Sequence, residues 1–253
     1  MMRAAAVTES LGLPAGILAC LFDLDGVLTP TAVVHAAAWK EMLDAYLGER
    51  AARAAEPFVP FDAHADYERY IDGKPRADGV RSFLAARGIS LPEGTPADPP
   101  STETVWGLGN RKDELFSARL QRGVDPYPGS VRYVRAVRDA GLRRAVVSAS
   151  AHCRDVLQAA GIADLFEVRI DGIVASEMHL RGKPAPDTFL AAAEALGVPS
   201  AAASVFEDAL AGVEAGRAGG FGFVVGVDRT GEADALREHG ADVVISDLEE
   251  LLK

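Results

Sequence analysis

"LFDLDGVLT", residues 21–29, closes an apolar run, "ILACLF" (17–22), on two aspartates, Asp23 and Asp25, with Gly26 directly after them. Residues 17–23 read as a buried strand, and a buried carboxylate is costly unless something compensates it. Side chains alternate between the faces of a strand, so residues two apart share one. Asp23 and Asp25 can therefore point into one site if the chain stays extended. Gly26 lets the backbone turn or come close to another group. In open α/β sheets, ligands bind beyond the carboxyl ends of the strands. Taken alone, the pair also reads as a simple turn, since aspartate favours turns.

The chain on either side decides between these readings. From about residue 129 onward, short β-branched runs alternate with helical patterns. "RRAVVS" (143–148), "EVRIDG", "ASVFED" (203–208), "FGFVVGVD" and "ADVVISD" are strand candidates. "AHCRDVLQAAG", "APDTFLAAAEALG" and "ALAGVEAGRAGG" lie between them with helical spacing. This alternation predicts a parallel sheet with helices on its faces. Residues 33 to about 128 are helical without convincing strands: "VVHAAAWKEMLDAYL", "DAHADYERYI", "RADGVRSFLAARG" and "NRKDELFSARLQ". "LPEGTPADPP" (91–100) and "GVDPYPG" (123–129) are loop breaks. The expected organisation is an α/β class, Rossmann-like parallel-sheet core formed by 1–32 and 129–253, with a helical block, 33–128, inserted after the first strand.

The 253 residues carry a formal net charge of −11. Nucleic-acid binding wants a basic footprint, and no run of lysines or arginines supplies one. Cys20 and Cys153 sit in no zinc or redox spacing and read as packed, reduced thiols. Arg3 and the following apolar stretch raise the question of a signal peptide. Glu9 and Pro14 interrupt that stretch and no small-residue cleavage site follows. No run reaches the ~18 apolar residues of a membrane span. A cytoplasmic, monomeric protein without membrane or nucleic-acid partners is the expectation, and no protein partner is legible.

Three more strand ends carry chemistry-bearing residues. Ser148 ends "AVVS" ahead of a helical pattern, where a hydroxyl and free N–H groups make a phosphate seat or an ordinary helix cap. Lys183 lies in "GKPAPD", and Glu207 and Asp208 end "SVFED". Asp23, Asp25, Glu207 and Asp208 are hard oxygen donors of the kind Mg²⁺ takes alongside phosphate and water. Lys183 would reduce the repulsion within such a cluster and grip a phosphate.

"DLDGVLT", the serine of "VVSAS", the lysine of "GKPAPD" and "FEDALAG" resemble, in order and over nearly the whole chain, the four motifs of the haloacid dehalogenase superfamily. The place of the helical block resembles the cap of its β-phosphoglucomutase-like subfamily. The resemblance implies that Asp23 is the nucleophile that becomes an aspartyl phosphate. Asp25 is then the acid and base toward the leaving and incoming oxygens. Ser148 and Lys183 hold the transferring phosphoryl group, and Asp23, Glu207, Asp208 and the Asp25 carbonyl hold Mg²⁺. In the cap, "DLDGVLTPTAVVHAAAWK" resembles the subfamily at Thr31, His35, Trp39 and Lys40. Thr31 and His35 would couple cap closure to Asp25, Arg76 would read the remote phosphate of a sugar, and Lys112 would contact the sugar. Read without the resemblance, Trp39 is cap core and His35 and Lys112 are ordinary helix-surface residues.

The chain departs from the subfamily at Pro30, where an acidic residue is common, and after Ser150, where Ala151 and His152 replace a basic residue and asparagine. Ser150 and His152 remain candidates for binding the non-transferring phosphate, since a histidine is easily charged near neutrality. The expected activity is phosphoryl transfer on a small sugar phosphate, as a β-phosphoglucomutase. The alternatives are a phosphatase of a small phosphomonoester, and a non-enzymatic binding protein, disfavoured because every catalytic position is filled.

Overall fold

The computed structural model describes residues 8–120 and 123–253. Arg3, raised above with the N-terminal stretch, and Gln121, at the end of the last helical pattern in the insert, lie outside them. The chain divides into two compact units, 1–30 with 124–253, and 31–123.

The first unit holds a six-stranded sheet of β1 (Ala19–Phe22), β2 (Arg143–Val147), β3 (Val168–Ile170), β4 (Ala203–Glu207), β5 (Phe223–Val227) and β6 (Val243–Ile245). The strand order is β3-β2-β1-β4-β5-β6 and every pairing is parallel. All residues of β1 and β4 are buried, as befits strands covered on both faces. On one face Phe22 stacks on Phe206 with ring centroids 4.5 Å apart and meets Tyr133 edge-on. On the other, Leu21, Ala145, Val147, Val205 and Phe189 share one apolar cluster. β1 and β4 are neighbours from which the strand order runs in opposite directions, which is where open sheets of this kind form their ligand crevice.

The structure corrects several local expectations. β1 ends at Phe22, not at Asp23, although the Asp23 amide still donates to the Phe206 carbonyl at 2.9 Å. The chain does not stay extended to Asp25. Residues 24–29 form a turn in which the Gly26 amide donates to the Thr29 carbonyl (2.7 Å) and the Thr29 amide to that of Leu24 (3.0 Å). Gly26 takes φ +87°, which glycine adopts without strain. Ser148 also caps no helix, because the helix after β2 begins only at Cys153. A short helix, Gly172–Glu177, was not foreseen. The Asp171 carboxylate accepts from the Ile173 and Val174 amides at its start, an N-cap arrangement.

The second unit has helices Thr31–Ala54, Ala65–Tyr70, Arg76–Ala86 and Val105–Leu120, and no strand among its described residues. Its core joins Trp39, Met42, Leu43, Phe61, Val80, Phe83 and Leu108. The last helix starts earlier than "NRKDELF" suggested, because the Thr104 hydroxyl accepts from the Gly107 amide (3.0 Å) and caps it. Lys40 donates to Asp44 and to the Phe61 carbonyl (2.9 Å), and so tethers the segment that follows the first helix. The division between units also falls earlier than 32/33 and 128/129. Thr31 already belongs to the first helix, and the Tyr127 amide already donates to the Leu28 carbonyl of the sheet unit (2.9 Å).

Candidate active site

At the carboxyl ends of β1 and β4 a lysine is buried between acids. Lys183 is 4% exposed. Its ammonium donates to Asp23 Oδ1 at 2.5 Å, to a Glu207 carboxylate oxygen, and to the Val147 carbonyl at 3.4 Å. Glu207 is fully buried, and its second oxygen accepts from the Ala209 amide (3.1 Å). The helix beside it makes room with Gly212, where a Cβ would stand 1.9 Å from Glu207 Oε1. Burial pulls the Lys183 pKa down, but the facing carboxylates of Asp23 and Glu207 push it further the other way, so the net shift is upward. Lys183 therefore stays an ammonium. Burial raises the Asp23 carboxyl above its ordinary range; Lys183 opposes this, while Glu207 and Asp25 add to it.

Asp208 completes an acidic group. Carboxylate oxygens of Asp23, Glu207 and Asp208 all lie within 4.8 Å of one another. Gly26 packs directly against Asp208, where a Cβ would stand 1.7 Å from Oδ2. One ammonium sits against two of three converging carboxylates, and this oxygen donor set fits a hard divalent cation. The Asp25 carboxylate is not part of this group. Its Oδ2 accepts from the Ser148 hydroxyl at 3.3 Å.

Ser148 is buried, and its oxygen also accepts from the Ser150 amide (3.1 Å). The Ser150 hydroxyl in turn accepts from the His152 amide (3.1 Å). A Cβ on Gly172 would stand 2.7 Å from the Ala149 carbonyl, so this glycine lets the loop after β3 close on the loop after β2. His152 is half-buried, with Nδ1 3.8 Å from Asp155.

The other sequence-predicted residues lie in the helical unit. Thr31 is fully buried at the head of the first helix. His35 and Lys112 are not surface residues. Both are buried, and Lys112 Nζ lies 2.5 Å from His35 Nδ1. His35 stacks on Phe116 with centroids 3.9 Å apart, and the ammonium lies 4.7 Å from that ring and 5.6 Å from Trp39. Aromatic faces lower the cost of burying such a cation. Arg76 donates to Asn110 Oδ1 (3.1 Å) and pairs with Asp113, while its buried Nε has no hydrogen-bond partner. Asn110, Asp113 and Phe116 escaped the sequence reading. Phe116 lies four residues from Lys112, and Asn110, Asp113 and Phe116 follow one another at intervals of three along one helix, which was the available signal.

Among the described residues no helix is long and apolar enough to cross a membrane. Over 96% of this chain and 94% of its own length, a β-phosphoglucomutase of Mycobacterium bovis is 58% identical. A β-phosphoglucomutase of Bacillus subtilis is 29% identical over 92% of this chain and 91% of its own. The crystal structure of a β-phosphoglucomutase from Clostridium difficile shares the fold, with a TM-score of 0.73 and 24% identity, covering 93% of both chains. The sequence model of the haloacid dehalogenase-like hydrolases matches residues 17–220, and the chain belongs to that family.

Proposed function

We propose that this enzyme is a Mg²⁺-dependent phosphoryl transferase that interconverts β-glucose 1-phosphate and glucose 6-phosphate through an aspartyl phosphate on Asp23. The observation that carries the reading is Lys183, buried between Asp23 and Glu207 at the edge where Asp208 converges and Asp25 meets Ser148. The name of the Mycobacterium bovis relative supports the substrate.

An Asp23 oxygen attacks phosphorus and the phosphorus–oxygen bond to the sugar breaks. Asp25 delivers a proton to the departing oxygen. In the return step Asp25 takes the proton of the sugar hydroxyl that attacks the aspartyl phosphate, and the Asp23 carboxylate leaves. Lys183 and the Ser148 hydroxyl hold the phosphoryl oxygens during transfer, and Lys183 keeps Asp23 oriented between turnovers. Asp23, Glu207 and Asp208, with the Asp25 carbonyl, would hold Mg²⁺, which offsets the repulsion between carboxylate and phosphate when bound. In the helical unit Arg76 binds the non-transferring phosphate as a guanidinium fork, and Thr31, His35 and Lys112 order the sugar. Ser150 and His152 take the place of the cation that "SASAH" lacks.

The deciding experiment supplies purified protein with Mg²⁺, β-glucose 1-phosphate and a trace of glucose 1,6-bisphosphate. Both glucose 6-phosphate and free phosphate are followed. Glucose 6-phosphate with little free phosphate is expected. One phosphate released per substrate consumed would make the enzyme a phosphatase and overturn the mutase reading.

A further inference from the structure

Arg229 lies two residues beyond β5, outside every motif considered above. Its root is fixed, because the Asp228 carboxylate accepts from the Thr230, Gly231 and Glu232 amides at 3.1, 2.7 and 2.9 Å. The guanidinium donates from Nε to the Gly26 carbonyl (2.8 Å) and from Nη1 to the Ser246 carbonyl (2.6 Å), with Asp247 3.6 Å away. Its central carbon lies 3.8 Å above the Tyr127 ring. The side chain is 18% exposed. One planar cation thus joins the turn after β1, the loop after β6 and the segment leading into the helix Pro128–Asp139.

Gly26 is where this clamp meets the chemistry. It directly follows Asp25, it sits at φ +87°, and its Cα lies against the Asp208 carboxylate. The intervening hydrogen bonds of the 24–29 turn fix its amide but not its carbonyl. Glycine has wide freedom at φ and ψ, so a partner on that carbonyl decides which conformation is kept. A swing of Gly26 would move Asp25 and withdraw the surface on which Asp208 rests. A guanidinium suits the task better than an ammonium, since it is always charged and presents its donors in a rigid plane that can also stack.

We propose that Arg229 is a positioning residue: by holding the Gly26 carbonyl it sets the 24–29 turn so that Asp25 and the cation-binding carboxylate Asp208 are presented to one site. The inference rests on the functional reading above for the role of Asp25, and on the carboxylate geometry alone for the role of Asp208.

The test measures Mn²⁺ affinity by titration, hydrogen exchange at the Gly26 and Thr29 amides of the metal-free protein, and kcat and KM. Arg229→Met is expected to weaken Mn²⁺ binding roughly tenfold or more. It should speed exchange at both amides and lower kcat with little change in KM. Arg229→Lys should fall between it and wild type. Tyr127→Leu removes the stacking surface but keeps both carbonyl contacts, and should keep Mn²⁺ affinity while losing thermal stability. A folded Arg229→Met protein with wild-type Mn²⁺ affinity and exchange would overturn the proposal. If that variant does not fold, Arg229→Lys is read by the same criteria: Mn²⁺ affinity and amide exchange equal to wild type overturn the proposal. A wild-type protein that binds Mn²⁺ but forms no glucose 6-phosphate would instead defeat the functional reading, with the Arg229 comparison still legible in metal affinity and exchange.

Discussion

At Asp23 one side chain answers to a lysine, a strand end and two other acids. Replacing it with asparagine keeps the shape and removes the carboxylate proposed as the nucleophile. Asp23→Asn is expected to abolish incorporation of phosphoryl groups into the protein, measured with labelled substrate, while the fold persists. Gly26→Ala should be more disruptive than its size suggests. The new Cβ would stand 1.7 Å from Asp208 Oδ2 at a backbone angle that side chains rarely adopt, so cation affinity and turnover should both fall. Arg76→Ala is expected to raise KM for the sugar phosphate by roughly tenfold or more, since hydrogen bonds to charged groups contribute about 1.5–3 kcal/mol each. The cysteines have the opposite character. Both are buried and free, burial pushes the Cys20 thiol up to about 12, and Cys153 is likewise raised, first by burial and then by nearby carboxylates. At pH 8 the thiolate of Cys20 is then only about one part in 10⁴, and thiolate is the reactive form. A disulfide reagent at pH 8 should leave the native protein unmodified and titrate both thiols after unfolding.

Elements carry the site by where they stop. β1 and β4 end side by side, and each delivers acids to the same edge: Asp23 one residue after Phe22, and Glu207 as the last residue of β4. Their rigidity comes from the aromatic layer beneath. Phe22, Phe206 and Tyr133 are fully buried against one another, and the Tyr133 hydroxyl donates to the Leu11 carbonyl (2.9 Å). Phe22→Ala should cost about 3–5 kcal/mol, the range for emptying a large aromatic side chain from a core. Chemical denaturation would measure it, and a cost below about 1 kcal/mol would mean that the layer collapses to fill the space. In the helical unit the pattern of hydrophobic residues located the helices well. Their buried polar pair was less visible, because a period of three and four says that Lys112 and Phe116 share a face and nothing of what that face meets.

At the scale of the whole chain, acid should act through surface carboxylates. The Arg53 guanidinium holds Glu103 below the usual carboxylate range, as Arg81 does Glu93 and Arg181 does Asp187, and backbone amides lower Asp62. A depressed folded-state pKa contributes stability that is present above the unfolded value and lost as pH falls through the folded one. The melting temperature should therefore hold from neutrality to about pH 5 and drop below about pH 4, near and under the ordinary carboxylate values. Salt should blunt the drop, since these pairs are solvent-exposed.

Much of the architecture was legible in the chain because the signals were local. The alternation of β-branched runs with helical patterns specifies a parallel sheet, since burial on both faces demands continuous apolar strands and each crossover demands a helix. Asp23, Asp25, Ser148, Lys183, Glu207 and Asp208 stood out as candidates because each stands at or just beyond a strand's end, or in a motif of known order. What the tertiary structure alone decided is how these groups pair. Lys183 lies 160 residues from Asp23 in sequence and 24 from Glu207, and only the β1–β4 adjacency brings both acids to its ammonium. The 24–29 turn, the burial of His35 with Lys112, the Asp113 carboxylate on Arg76 and the Arg229 clamp on Gly26 are likewise long-range or conformational. A pattern of residues records which face a side chain takes; which partner waits on that face is settled by packing between segments that the sequence keeps far apart.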